Sequence, residues 1–340
     1  MIYIIFAILG LGLIILIHEV GHFVAAKLNG VKVEEFAIGM GPKVFSVNKG
    51  ETDYSIRAFP IGGYVQMLGE NEDEEIQSSD NRALCNKSPL VRAVVFGAGA
   101  FMNMLLAIAI FMVIIMNFGF RTNTIKVPME NSPAASAGLL AGDKIMKVNG
   151  SKVITTGDVS VGIALSKGNP IEMTIDRAGQ EIKKVINPEM VDNSYRIGIE
   201  FEKVEKPKFI EAISESFKEI GSLGKQTFLS LKMMITGEAN FKTDVGGPIT
   251  IIKMSSKAAK AGIWNLFSLI AILSVQIGIF NLIPFPALDG GHIFILLIET
   301  ITRKKVPPKF VGYVNMVGFM LLMGLMLVVV LKDIIFPVSI

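Results

Sequence analysis

Three ionisable residues fall within five positions near the start of the chain: His18, Glu19 and His22, in the run IHEVGHFVAAK. On a helix, positions i and i+4 share a face, so both imidazoles can reach one metal ion. The pattern H-E-x-x-H is the one zinc metalloproteases use, with each ring nitrogen about 2.0–2.1 Å from the ion. Glu19 sits beside that face, where it can act as general base toward a water whose pKa the metal lowers to about 7. The motif lies inside an apolar run, and an ionisable group there costs roughly 2.5–3.5 kcal/mol even on insertion scales. Three such groups together have no evident packing rationale. Metal chemistry therefore outweighs the bland alternative, a buried polar cluster pairing with another helix.

A tetrahedral zinc site needs a third protein ligand. Cys85 is the single cysteine, which excludes an intrachain disulfide and a cysteine-cluster metal site. A late segment, NLIPFPALDGGH at 281–292, supplies candidates. Pro284 and Pro286 must break any helix there. A polar, broken segment at membrane depth needs protein or a water-filled cavity around it. Asp289 is the leading third ligand, with His292 the alternative on chemistry alone and Glu299 behind both. Taken alone, the segment would suit a turn with an Asp capping the next helix.

Apolar helices must position these groups. The chain has 340 residues, 51% hydrophobic and 19% charged. Its net charge of +3 gives no bulk-charge argument for binding nucleic acid. Four stretches lack Lys, Arg, Asp and Glu over membrane-spanning lengths: Met1–Ala26 (interrupted by Glu19), Ala93–Phe120, Ala261–Leu288 and Phe310–Leu331. A bilayer core of about 30 Å needs about 20 apolar residues in a helix. Each stretch meets that need. The first is expected to stay as a span rather than be cleaved as a signal peptide, because no basic residue precedes Lys27 and no small-residue cleavage site follows. Orientation follows from basic residues in the loops. TRKKVPPK at 302–309 carries four and segment 27–92 carries eight, which places both in the cytoplasm. Both termini and the long 121–260 region are then expected outside.

Between the spans, residues 30–92 read as short strands bounded by Gly and Pro, more apolar than a cytoplasmic loop requires. This segment is expected to associate with the membrane edge, and its acidic tail ENEDEEIQSSDN to be solvated. Residues 121–205 read as a small α+β domain. It comprises a Pro-led helix in NSPAASAG, a strand KIMKV, a short helix in DVSVGIALSKG, two strands in IEMTIDRAGQEIKKVI and a strand in YRIGIEF. The span GDKIMKVNG at 142–150 resembles the PDZ signature. By that resemblance a peptide groove lies between YRIGI, around Gly198, and the 158–167 helix. In 206–260, Phe209, Ile213, Phe217, Ile220, Leu223 and Phe228 recur at helical spacing, which predicts an amphipathic helix approaching the membrane. The expected fold is thus a polytopic α-helical membrane protein: four transmembrane helices, a membrane-associated β region and an inserted PDZ-like α+β domain. Its segments are 1–29, 30–92, 93–120, 121–205, 206–260, 261–300 and 301–340.

HEVGHF near the N-terminus with NLIPFPALDGGH in a late span resembles the site-2 protease family of intramembrane zinc metalloproteases, and the inserted domain resembles the bacterial RseP/RasP type. The resemblance covers nearly the whole chain, with one PDZ-like unit where some relatives have two. It implies Zn²⁺ as cofactor, with His18, His22 and Asp289 as ligands and Glu19 as catalytic base. It implies that Asn281 binds substrate or stabilises the oxyanion, and that IGMGP and FPIGGYVQM hold substrate as an extended strand. The implied partners are membrane lipid, a peptide for the PDZ-like domain, and single-span membrane proteins already trimmed by another protease, such as anti-sigma factors and signal-peptide remnants. The implied place is the bacterial inner membrane. Two other classes compete. A transporter would also use broken helices, but four spans are few and H-E-x-x-H would be unexplained. A scaffold recruiting partners through its PDZ-like domain has no need of Glu19.

Overall fold

The computed structural model describes residues 2–70, 80–192, 194–238, 240–242 and 245–337. Most of the acidic tail lies outside those residues. The chain divides into two compact units, one formed by 1–107 and 233–340, the other by 108–232.

The first unit begins with α1 (Ile2–Leu28), whose buried residues Ala7, Gly10, Ile14, His18, Gly21, His22, Ala25 and Ala26 follow the three- and four-residue spacing of one helix face. They form one stripe of the helix, and the two histidines belong to it. β1 (Val33–Lys49) and β2 (Thr52–Met67) follow as an antiparallel pair. The expectation of several short strands here needs amending. β2 folds around β1, so that Glu35, Phe36, Ala37 and Ile38 each pair twice, once with 53–56 and once with 63–66. The Gly and Pro positions mark irregularities within two long strands rather than their ends.

Glu35 locks this arrangement. Burial would raise its carboxyl, but hydrogen bonds from Ser55 Oγ (2.6 Å), Arg57 (2.8 Å) and Tyr64 (2.8 Å), with Lys43 at 3.3 Å, hold it down at about 2. A carboxylate that accepts several bonds keeps its charge despite desolvation.

α2 (Pro89–Phe118) leads out of this unit into the second. There, β3 (Phe120–Pro128), α3 (Pro133–Ser136), β4 (Lys144–Val148), β5 (Ser151–Lys152), α4 (Thr156–Leu165), β6 (Ile171–Arg177), β7 (Gln180–Ile186), β8 (Glu189–Val191), β9 (Ser194–Arg196) and β10 (Ile199–Val204) follow. The sheet runs β10-β3-β4-β6-β7, with β5 on β4 and a separate β8-β9 ribbon. Ile125, Ile145, Ile171, Met173, Ile175, Ile186 and Ile197 fill its core. The strand expected at YRIGIEF is split in two at Ile197–Gly198. α5 (Phe209–Thr236) is the predicted amphipathic helix. It docks through Lys225 on Asp158 (3.1 Å) and Ser222 on Thr155 (3.0 Å).

The chain then returns to the first unit as α6 (Pro248–Ala261), α7 (Ile263–Asn281), α8 (Asp289–Thr302) and α9 (Pro308–Ile335). Among the described residues, four helices, α1, α2, α7 and α9, are long and apolar enough to cross a membrane. In lipid each backbone polar group must be satisfied within its own segment, which selects helices for such runs. α6, for which the sequence suggested no element, packs against α1, α7 and α9. Asp333 of α9 accepts from Gly247 N (3.1 Å) and Thr250 N (3.0 Å), capping the first turn of α6.

Candidate metal centre

α1 carries His18 and His22 on its buried stripe, one turn apart, with their Nε2 atoms 3.2 Å from each other. The rings meet edge to face, 81° apart. His22 Nδ1 lies 2.8 Å from the Val95 carbonyl, an acceptor only. Nδ1 must therefore carry a proton, which in the neutral ring leaves the lone pair on Nε2.

Asp289 arrives from the far end of the sequence. α7 stops at Asn281, and the Pro284–Pro286 segment reverses so that α8 begins at Asp289 itself. The reversal depends on the two glycines that follow. A Cβ on Gly290 would stand 2.3 Å from the Ile283 carbonyl oxygen, and one on Gly291 would stand 2.4 Å from that of Phe285. Asp289 Oδ2 is thereby set 3.1 Å from His18 Nε2 and 3.4 Å from His22 Nε2.

These three atoms form a triangle with edges of 3.1, 3.2 and 3.4 Å. Three ligands at about 2.05 Å around a tetrahedral Zn²⁺ stand about 3.3 Å apart, so the residues fit the ion. Asp289 Oδ2 is buried, and the two imidazole nitrogens are the polar atoms that face it. An acceptor oxygen facing two imidazole nitrogens needs a proton or a cation between them, and one metal ion would serve all three atoms at once.

The wall behind the imidazoles is α2. A Cβ on Gly99 would stand 2.4 Å from His22 Nε2 and 2.7 Å from His18 Nε2, so only glycine lets α2 pass here. Asn281 Nδ2 lies 3.4 Å from His18 Nε2, at the rim of the cluster. Glu19 is half-buried, and its Cγ lies only 3.2 Å from where a Cβ on Gly63 of β2 would be. It adjoins the cluster without belonging to it.

The other two ligand candidates are occupied elsewhere. His292 stacks on Phe96 (4.4 Å, 9°) and faces Asn315 at 3.4 Å. Glu299 pairs with Arg92 (3.0 Å) and accepts from Val306 N (2.9 Å). Sequence reasoning missed Gly99, the Val95 carbonyl and Asn103, whose amide lies 3.5 Å from His18 Nδ1. An Asn within an uncharged span was the one signal visible in the sequence.

Comparison with known proteins agrees with this geometry. The chain is 53% identical to a "putative zinc metalloprotease" of Clostridium perfringens, over 99% of both chains. A protein of the same description from Clostridium acetobutylicum is 47% identical over 99% of this chain and 98% of its own. The "membrane metalloprotease ARASP, chloroplastic" of Arabidopsis thaliana is 32% identical over 96% of this chain and 77% of its own. The profile of peptidase family M50 matches residues 6–325, a range that holds both histidines, Glu19 and Asp289, and the chain therefore belongs to that family.

Proposed function

We propose that this peptidase is an intramembrane zinc endopeptidase of the RseP/RasP type. His18, His22 and Asp289 hold the metal, and Glu19 and Asn281 serve the chemistry. The convergence of three ligand atoms, carried by α1 and by the segment after α7, is the observation that supports it above all. Held by these residues, Zn²⁺ would act as a Lewis acid and would lower the pKa of a water molecule at the site. Glu19 takes the water's proton and returns it to the leaving amide nitrogen. Asn281 Nδ2 donates to the oxyanion as charge develops on the scissile carbonyl oxygen.

A substrate helix has its backbone bonds satisfied internally, so it must unwind before cleavage. The 63–66 arm of β2 pairs with β1 and passes Glu19 at Gly63, which suits it to take the unwound segment as an added strand. Substrates are single-span membrane proteins already trimmed by another protease, with anti-sigma factors and signal-peptide remnants as the classes, in regulated intramembrane proteolysis. Residues 121–205 act as a PDZ-like domain that excludes untrimmed substrates or binds a peptide beside α4, which packs against β9. The basic 302–309 loop and the 27–92 segment lie on the cytoplasmic side of the bacterial inner membrane, with both termini and the PDZ-like domain outside.

The test is proteolysis of a single-span substrate in vesicles by the wild-type chain and by Glu19→Gln. The wild type should carry about one zinc per chain and cleave, whereas the variant should carry zinc and not cleave. Cleavage at the wild-type rate by Glu19→Gln would remove Glu19 from the mechanism, and a zinc-free active wild type would remove the metal.

A further inference from the structure

We propose that Asn103 is a positioning residue for the metal, its amide oxygen accepting a hydrogen bond from His18 Nδ1–H and so leaving the His18 Nε2 lone pair free for the ion. The proposal rests on the metal-site reading above.

Asn103 sits on α2 at 0% exposure, inside a run without charges. Burying a carboxamide there is costly unless its polar atoms are partnered. The backbone around it is fixed. Ser274 Oγ of α7 donates to the Asn103 carbonyl (2.8 Å), and one turn further Gly278 lets α7 approach the Ala100 carbonyl. The side chain then reaches His18. Its Nδ2 lies 3.5 Å from Nδ1, while Oδ1, equally buried, has no partner.

The two ends of a carboxamide have the same shape, so a half-turn about the Cβ–Cγ bond exchanges them. With Nδ2 toward the ring, Nδ1 is an acceptor and the proton sits on Nε2. That tautomer suits an empty site, with Nε2–H donating to Asp289, and cannot ligate through Nε2. With Oδ1 toward the ring, Nδ1–H donates and Nε2 is free for the ion. His22 already has this second arrangement through the Val95 carbonyl. A metal-ligating histidine almost always donates its other ring N–H to such an acceptor. Asn103 thus completes for His18 what α2's own backbone provides for His22, and an amide serves both the empty and the loaded state.

The experiment measures zinc retention by the full-length chain against a graded chelator, in lipid nanodiscs. Asn103→Leu keeps the size and removes the acceptor, and should weaken zinc binding about 10–100-fold. Asn103→Asp keeps an acceptor and should restore most of it. Equal retention by Asn103→Leu and wild type overturns the proposal. So does equal weakening in both variants, which would mean a packing role. Failure of Asn103→Leu to fold is covered by ¹⁵N-histidine spectra of the zinc-loaded wild type. They should show Nδ1–H and a metallated Nε2 on both His18 and His22, and a His18 ring protonated at Nε2 refutes the assignment. A wild type that holds no zinc would instead refute the metal reading itself, and the proposal with it.

Discussion

Replacing Gly99 with Ala adds one methyl group and should disable the metal centre without unfolding the protein. The new Cβ would stand 2.4 Å from His22 Nε2, 2.6 Å from His18 Cε1 and 2.7 Å from His18 Nε2. Heavy atoms normally approach to about 3.5 Å, so the imidazoles or α2 must give way by about 1 Å. Ligand distances tolerate only about 0.2 Å. The same substitution gains about 0.8–1.0 kcal/mol of helix propensity, against an overpacking cost of about 1–3 kcal/mol. Global stability should therefore change by about 2 kcal/mol or less, while zinc affinity falls by at least about 10-fold, the smallest loss typical of disturbing a ligand's support. Thermal unfolding of the apo-protein and chelator competition on the loaded protein separate the two effects. A Gly99→Ala protein that binds zinc as tightly as wild type would refute the packing argument for the histidine pair.

Other perturbations discriminate among the acidic and imidazole groups. Asp289→Ala should abolish zinc binding and His292→Ala should leave it intact. Metal retained by the first variant would reject Asp289 as ligand. Glu299→Ala strands Arg92 and the Val306 N–H without their acceptor, and should cost about 3 kcal/mol in thermal or denaturant stability with zinc content unchanged. Glu35, ordinarily near 4.5, is held at about 2 in the folded hairpin. A depressed folded pKa contributes stability that is complete above about 4.5 and is lost as pH falls from there through about 2. Hydrogen exchange in β1 and β2 should quicken across that window, and Glu35→Gln should flatten the dependence. Unchanged exchange down to pH 2 would contradict the role given to Ser55, Arg57 and Tyr64.

The parts of this molecule written in consecutive residues were legible, and those made by contact across the sequence were not. His18 and His22 could be placed on one face because helical geometry fixes the i, i+4 relation. α5 could be placed because apolar residues at Phe209, Ile213 and Phe217 have no other common surface. The residues alone ranked Asp289 ahead of His292 and Glu299 as third ligand without deciding it, because the choice depends on how the Gly290–Gly291 reversal aims α8. Gly99 was invisible, since one glycine in an apolar run says nothing of what lies opposite. α6 was missed because its run is short and begins after two glycines, and it holds to its neighbours through Asp333, eighty-odd residues away. In 30–92, glycines that bend a strand were indistinguishable from glycines that end one.

The candidate metal ligands come from the first helix and from residue 289, so among the described residues this site is incomplete until both are made. A ribosome delivers the two halves at different times. While α1 is already in the bilayer, its histidines wait for Asp289, and the growing polypeptide has no working peptidase centre beside the nascent membrane proteins emerging around it. Ion capture then joins His18 to Asp289 across more than two hundred and fifty residues, which makes catalytic competence a late step of biogenesis.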